Sequence, residues 1–292
     1  MSVYTMIVEK EDTLLNFLNN NIKNKSKNNI KALLTNGFVS INNITITKYD
    51  YKLKINDKIV IYSIQIRDNI YKNPIKVLYE DKDIIVIDKP SGLLSISTNK
   101  EKEITAYHIV MKYLKNRNKK STIFVIHRLD KDTSGVLMFA KNEKIKYLYQ
   151  DNWNNIVSNR TYIGIVEGKI KEKERTIKSY LKENNFNKIY STNKKDGKEA
   201  ITHYKLLKTN NKFSLLEINI DTGRKNQIRV HMSESGYPII GDRKYGSRNN
   251  PIKRLGLHAY KLKMKNPINN RIIEFISPIP YEFLNLLKSS NN

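Results

Sequence analysis

The sequence predicts an α+β protein in two parts, a small α/β module at the N-terminus and a larger domain built on a mixed, largely antiparallel sheet. Three observations carry this prediction. From about Lys76 onward, strand-like and helix-like stretches alternate without internal repeats and with many links of hairpin length. Before that point, two short helical patterns precede a set of short β-branched runs. Between them, Arg67-Asp68-Asn69 and Lys72-Asn73-Pro74 form a polar stretch with the composition of a linker. The expected boundaries are therefore 1–66, a linker at 67–75, and 76–292.

The elements follow in order. Leu14, Leu15 and Leu18 recur at helical spacing, and Ile30, Leu33 and Leu34 mark a second helix that ends at Asn36-Gly37. Val39-Ser40-Ile41, Ile44-Thr45-Ile46 and Ile59-Val60-Ile61 are strands, the last one after an Asn56-Asp57 turn. In the larger part, Val77 to Glu80 and Ile84 to Asp88 are strands, followed by a turn at Lys89-Pro90-Ser91-Gly92. Ile104, Tyr107, Met111 and Leu114 keep the stripe of an amphipathic helix. Further strands are expected at 123–126, 136–140, 162–166, 201–207, 213–220, 257–262 and 272–276. The Lys- and Asn-rich stretch 169–198 is expected to be a strand pair with loops on a basic surface.

Composition bounds the function. The 292 residues leave room for one large or two ordinary domains, and 39% are apolar, as in a globular protein. Lys and Arg number 53 against 28 Asp and Glu, a net charge of +25 spread along the chain. Such self-repulsion points to a polyanionic partner, nucleic acid or an anionic membrane surface, with an AT-rich coding bias toward Lys, Asn and Ile as the competing explanation for part of the excess. The absence of cysteine excludes disulfides, thiolate metal sites and a cysteine nucleophile. No basic leader runs into an apolar core, and no uncharged apolar run nears the roughly 18 residues of a membrane helix. A soluble, cytoplasmic protein without a membrane partner or an evident obligatory protein partner is expected.

The densest concentration of chemistry is the polar run His127-Arg128-Leu129-Asp130-Lys131-Asp132-Thr133-Ser134-Gly135, set between two apolar runs of strand length. Read alone, such a turn satisfies its own backbone with its side chains. Four other motifs accompany it: Asp88 to Gly92, Arg160-Thr161-Tyr162-Ile163-Gly164, Thr222 to His231, and Gly241 to Gly246 with Leu257-His258-Ala259. In this order they resemble the RluA/RluD family of pseudouridine synthases over roughly residues 75–285. The N-terminal segment resembles the S4 RNA-binding domain at Leu15 to Leu18, Ser26 to Leu34, Gly37 to Asn43 and Asn56 to Ile61. The whole chain thus looks like the S4-containing members that modify large-subunit (23S) ribosomal RNA.

The resemblance implies a pseudouridine synthase catalytic domain and assigns roles. Asp130 matches the catalytic aspartate of the H-R-L-D signature. Arg128 matches the arginine that fills the base stack once the uridine has flipped out. Tyr162 matches the active-site tyrosine, and Arg229 the basic residue that pairs with the aspartate. RNA contacts are expected from Arg128, His127, Arg224, Lys225, Lys25, Lys27 and Lys31. Uridine and pseudouridine are isomers, so the reaction needs no redox step and no donor, in keeping with the absence of a cofactor motif. The carboxylate serves either as nucleophile at C1′ or as base at C2′, a choice the sequence leaves open. The chain departs from the family pattern at Lys225-Asn226, where Thr-His is usual, at Arg160 (commonly Lys) and at Gly164 (often Ala). In the S4-like segment, Asn43 and Asn56 replace glycines and keep access to the left-handed region.

The competing readings are a non-catalytic RNA-binding or ribosome-assembly factor, a synthase acting on tRNA, and a methyltransferase. The last would need a glycine-rich nucleotide loop, and no G-x-G-x-x-G is present. Asp130 and Asp132 alternate as a metal pair would, but no histidine has ligand spacing with them, so no metal is expected. His231 and His258 are expected to be hydrogen-bonded structural residues.

Overall fold

The computed structural model describes residues 3–22, 26–35, 39–42, 44–46, 48–62, 75–97 and 105–287. The helix end at Asn36-Gly37, Asn43, Lys23, Lys25, and residues 67–74 of the expected linker lie outside the described residues. The chain separates into two compact units, residues 1–74 with 99–103, and residues 75–98 with 104–292.

The first unit contains β1 (Val3–Ile7), β2 (Asp12–Thr13), α1 (Leu14–Asn21), α2 (Lys27–Thr35), β3 (Val39–Ile41), β4 (Ile44–Thr45), β5 (Lys52–Leu53) and β6 (Lys58–Tyr62). Four strands form an antiparallel sheet in the order β1-β6-β3-β4. The expected leucine stripe is the core: Leu14, Leu18, Ile30 and Leu34 are buried against Val39, Ile41 and Ile59. Asn56 takes φ +71 and Asn42 φ +48, the left-handed conformation that asparagine tolerates. Strand β1 escaped the sequence reading because its partner, β6, lies more than fifty residues away and no local pattern marks the pairing.

The second unit holds the remaining strands: β7 (Lys76–Glu80), β8 (Ile84–Lys89), β9 (Phe124–Val125), β10 (Ser134–Ala140), β11 (Val157–Glu167), β12 (Glu174–Glu183), β13 (Ile189–Thr192), β14 (Lys198–Thr209), β15 (Phe213–Ile220), β16 (Leu257–Lys265) and β17 (Ile272–Ile276). They make one sheet in the order β13-β12-β14-β15-β11-β16-β10-β8-β7, with β17 on β16 and β9 on β10. Among the named strands, only β10 and β16 pair in parallel. That pairing requires Gly135: its φ is +111, and a Cβ there would lie 2.1 Å from the Ala259 carbonyl oxygen.

The continuous apolar runs of β8 and β10 have the character of strands buried on both faces. Ile84, Val86, Val136 and Met138 face Tyr149 of α4 (Glu143–Asp151) and Ile156 of α5 (Trp153–Ile156). Ile85, Ile87, Leu137 and Phe139 face Val110 and Leu114 of α3 (Ala106–Arg117), the helix expected from the 104–114 stripe. The strand expected at 123–126 forms ladder pairs only at Phe124 and Val125, because the chain turns away to enter the polar run. Two further helices, α6 (Gln227–Glu234) and α7 (Tyr281–Asn285), complete the unit. The stretch 169–198 forms the expected strand pair, β12 with β13.

Candidate active site

The polar run leaves β9 and enters β10, and the sheet centre fixes it from beneath. The backbone of Leu129 exchanges hydrogen bonds with the Ser95 hydroxyl at 3.1 and 2.9 Å. Ser91 Oγ donates to the Asp132 carbonyl at 2.6 Å. Lys89 is fully buried and donates to the carbonyls of Pro90, Leu93 and Lys131 at 2.9, 2.6 and 2.9 Å. Three acceptors match the three protons of an ammonium group. Burial nevertheless pulls the Lys89 pKa down to about 7, against the opposing fields of Asp132 and Asp130. The turn expected at Lys89-Pro90-Ser91-Gly92 thus holds the loop that carries Asp130.

A second segment supplies the counter-charge. Asn226 enters α6 in the left-handed conformation, φ +53. Gln227 holds the approach: its Oε1 accepts from Thr222 Oγ1 and the Arg224 N–H, and its amide donates to Ile201 O and Thr202 Oγ1. Arg229 then projects from the first turn of α6. Its Nε and Nη2 donate to Asp242 at 2.6 and 2.8 Å, its Nη1 reaches Asn226 Oδ1 at 3.0 Å and Asp130 Oδ2 at 3.5 Å, and its plane lies 5.0 Å from the Tyr245 ring centre. The two-pronged pairing with Asp242 raises the arginine's already high pKa against the cost of burial. Asp130 was expected to be the partner of Arg229. The tight partner is Asp242, whose side chain is 1% exposed, while that of Asp130 is 33% exposed and makes only the longer contact.

Asp130, Asn226 and Arg229 open onto one cleft of about 390 Å³, lined also by Arg128, Trp153, Arg160, Tyr162 and Arg224. Tyr162 comes from β11, half-buried at the edge of the apolar clusters flanking the sheet. Desolvation pushes its phenol up to about 12, with the Arg160 charge opposing and that of Asp130 assisting, so the ring presents a neutral hydroxyl. Arg160 donates to the Asp221 carbonyl, and burial lowers its pKa. A Cβ on Gly223 would lie 2.9 Å from Arg160 Nη1, so this glycine lets the arginine lie against the 222–226 turn.

The expected site residues thus divide. Asp130, Tyr162, Arg229, Arg128, His127 and Arg224 line the same cleft. Arg128 is exposed at its mouth, and Arg224 donates to the Glu199 carbonyl at 2.9 Å. Lys225 is exposed and ion-paired to Glu183. His127 is anchored within the cleft: its Nε2 accepts from the Met138 N–H at 3.1 Å, its ring lies 5.0 Å from that of Trp153, and burial with the nearby Arg160 pulls its pKa down to about 4. It is a neutral anchor for the loop. Lys27 and Lys31 are exposed on α2 of the first unit, and Lys25 lies outside the described residues. His231 and His258 are buried and hydrogen-bonded, to Ser179 and Thr202 and to Ser134 and Ser277 respectively. The sequence reading did not single out Asp242, Asn226, Lys89 or Trp153 as parts of the site. The available signal was the motifs themselves, since Lys89, Asn226 and Asp242 lie within the runs 88–92, 222–231 and 241–246.

Comparison with known proteins adds a family. The family model described as RNA pseudouridylate synthase matches residues 83–234, which include Lys89, Asp130, Tyr162 and Arg229. The chain is 35% identical over 224 residues to a Borreliella burgdorferi protein named ribosomal large subunit pseudouridine synthase D, covering 74% of this chain and 68% of that one. It is 28% identical over 288 residues to the Bacillus subtilis RNA pseudouridine synthase YlyB, an uncharacterized protein, covering 96% and 95%. Among solved structures, the human RNA pseudouridylate synthase domain containing 4 shares the fold with a TM-score of 0.62 at 22% identity, over 76% of this chain and 95% of that one.

Proposed function

The chain belongs to the RNA pseudouridylate synthase family and is a pseudouridine synthase of the RluA/RluD kind, and on that premise we propose that it isomerises uridine in large-subunit ribosomal RNA with Asp130 as its catalytic carboxylate. The observation that carries this reading is the standing of Asp130: half-exposed in the cleft, with a single Arg229 contact of 3.5 Å, while Asp242 holds Arg229 from behind. A carboxylate arranged so is oriented without being locked and keeps its freedom to approach a sugar. The reaction breaks N1–C1′, turns the base, forms C5–C1′ and moves the C5 proton to N1 of the product. Asp130 acts either by bonding to C1′ or by removing the C2′ proton.

Tyr162 has two parts in this scheme. Its face supports the uracil, and its neutral phenol, with a pKa near 12, takes a proton from C5 only by releasing its own in the same relay. Arg128, exposed at the mouth, fills the stack that the uridine leaves and offsets a share of the few kcal/mol that extrusion costs. Arg160 and Arg224 line the cleft as guanidiniums for the backbone phosphates. The first unit, with Lys27 and Lys31 exposed on α2, acts as an S4-like RNA clamp. Ribosomal RNA as the target follows the name of the Borreliella burgdorferi relative. Pseudouridine mapping in RNA from cells with and without the gene tests the whole reading. A site in large-subunit RNA that disappears with the gene is expected. Loss of a site only in tRNA would move the target, and no lost site would contradict the proposal.

A further inference from the structure

The β12–β13 hairpin carries a feature that the cleft does not use. Its tip, residues 184–188, presents Phe186 with 87% of its surface exposed, the most exposed large apolar side chain among the described residues. Disorder does not account for this exposure. Asn184 Oδ1 accepts from the N–H groups of Phe186 and Lys188 at 3.0 and 2.9 Å, and Asn187 closes the turn at φ +57. Lys244 Nζ caps the Asn187 carbonyl at 2.8 Å. The backbone is therefore pinned while the ring is held out in water, a conformation with no gain for the isolated chain.

The flanking surface names the partner. One face of the hairpin, with Leu181 and Ile189, packs on Val230 and Tyr245. Alternation then sends Lys178, Tyr180 and Lys182 to the opposite face, with Tyr190 across from Lys182. Lys188 is exposed at the tip, and Lys194, Lys195 and Lys198 are exposed at the opposite end of β13, where the chain turns into β14. Aromatic rings interleaved with cations are the pattern of surfaces that stack unpaired bases and neutralise phosphates. The hairpin is also tied to the cleft, because Glu183 at its end is ion-paired to Lys225, next to the cleft-lining Arg224 and Asn226.

We propose that Phe186 is a stacking platform for an unpaired RNA base outside the cleft, with the outward lysines of β12–β13 holding the adjoining backbone. This rests on the reading that the chain acts on RNA. The test uses the full chain and unmodified large-subunit ribosomal RNA made by transcription. Phe186→Ala is expected to weaken binding about tenfold, the scale of one base–aromatic stack, without changing the salt slope. Phe186→Tyr is expected to restore affinity. Trp153 is the sole tryptophan, so in a Trp153→Phe background a Phe186→Trp chain places one fluorophore at the tip, and a short oligouridylate is expected to quench it. Unchanged RNA affinity in Phe186→Ala overturns the proposal. So does full rescue by Phe186→Leu, or loss of self-association in place of RNA binding, each of which marks a protein contact. If the wild-type chain makes pseudouridine while Phe186→Ala binds normally, only this inference fails. If the wild-type chain makes none, the functional reading itself fails.

Discussion

The floor and the rim of the cleft use the same residue types on opposite physical terms. On the floor, Arg229 is 12% exposed and fixed by Asp242, Asn226 and Tyr245, while the buried Lys89 donates to three backbone carbonyls and holds the loop that carries Asp130. At the rim, Arg128 and Arg224 face solvent, and Lys225 has only the exposed Glu183 for company. Charge on the floor is desolvated and held in one geometry, so it orients Asp130. Charge at the rim stays hydrated and screened, the condition under which the proposed RNA contacts are made through phosphates. The difference predicts all-or-none effects below and graded, salt-dependent effects above.

The largest effect is expected at Asp130. Asp130→Asn keeps the shape of the side chain and removes its charge, so pseudouridine formation should vanish while the circular dichroism and RNA affinity are retained. Next comes Asp242→Ala, which strands Arg229 as a buried cation. Removing one member of such a pair costs about 3–5 kcal/mol, so denaturant unfolding should show a large drop in midpoint together with loss of activity. A normal midpoint would break the division between floor and rim.

Acid should act on the same buried layer. His127 and His231 are neutral in the fold, with pKa values pulled down to about 4 by burial. Unfolded histidine titrates near 6.5, so between about pH 6.5 and 4 the unfolded chain binds more protons than the folded one. Stability is therefore complete above 6.5 and declines as pH falls toward 4. A melting temperature flat across that window would show that these rings are not buried as described. The smallest effect is expected at the rim, where Arg224→Ala should weaken binding across RNA sequences and reduce the salt slope by about one.

Much of this division was legible in the sequence, and the illegible part has a common cause. Strands β7, β8, β11 and β14 to β17 were visible because their periodicity is local. Asp130, Tyr162 and Arg229 were found only through the order of their motifs. Tyr162 is one of 18 tyrosines, and nothing in its neighbourhood sets it apart. The floor was hidden because burial of a polar residue depends on distant segments. Lys89 reads as a turn lysine until Leu93 and Lys131 close around it, and Asp242 reads as a loop acid until Arg229 arrives from α6. The same holds for His127, whose ring nitrogen is claimed by the Met138 N–H, eleven residues along the chain. The helices α4 to α6 were overlooked because their apolar faces are short and interrupted by Lys and Asn.

The division is tested most directly by measuring, on the wild-type chain, RNA affinity and the single-turnover rate of pseudouridine formation at saturating RNA across a salt series. Affinity should fall steeply and linearly on logarithmic axes as counterions compete with the rim, while the rate at saturation stays flat because the floor is shielded. A saturated rate that falls in step with affinity would contradict the account.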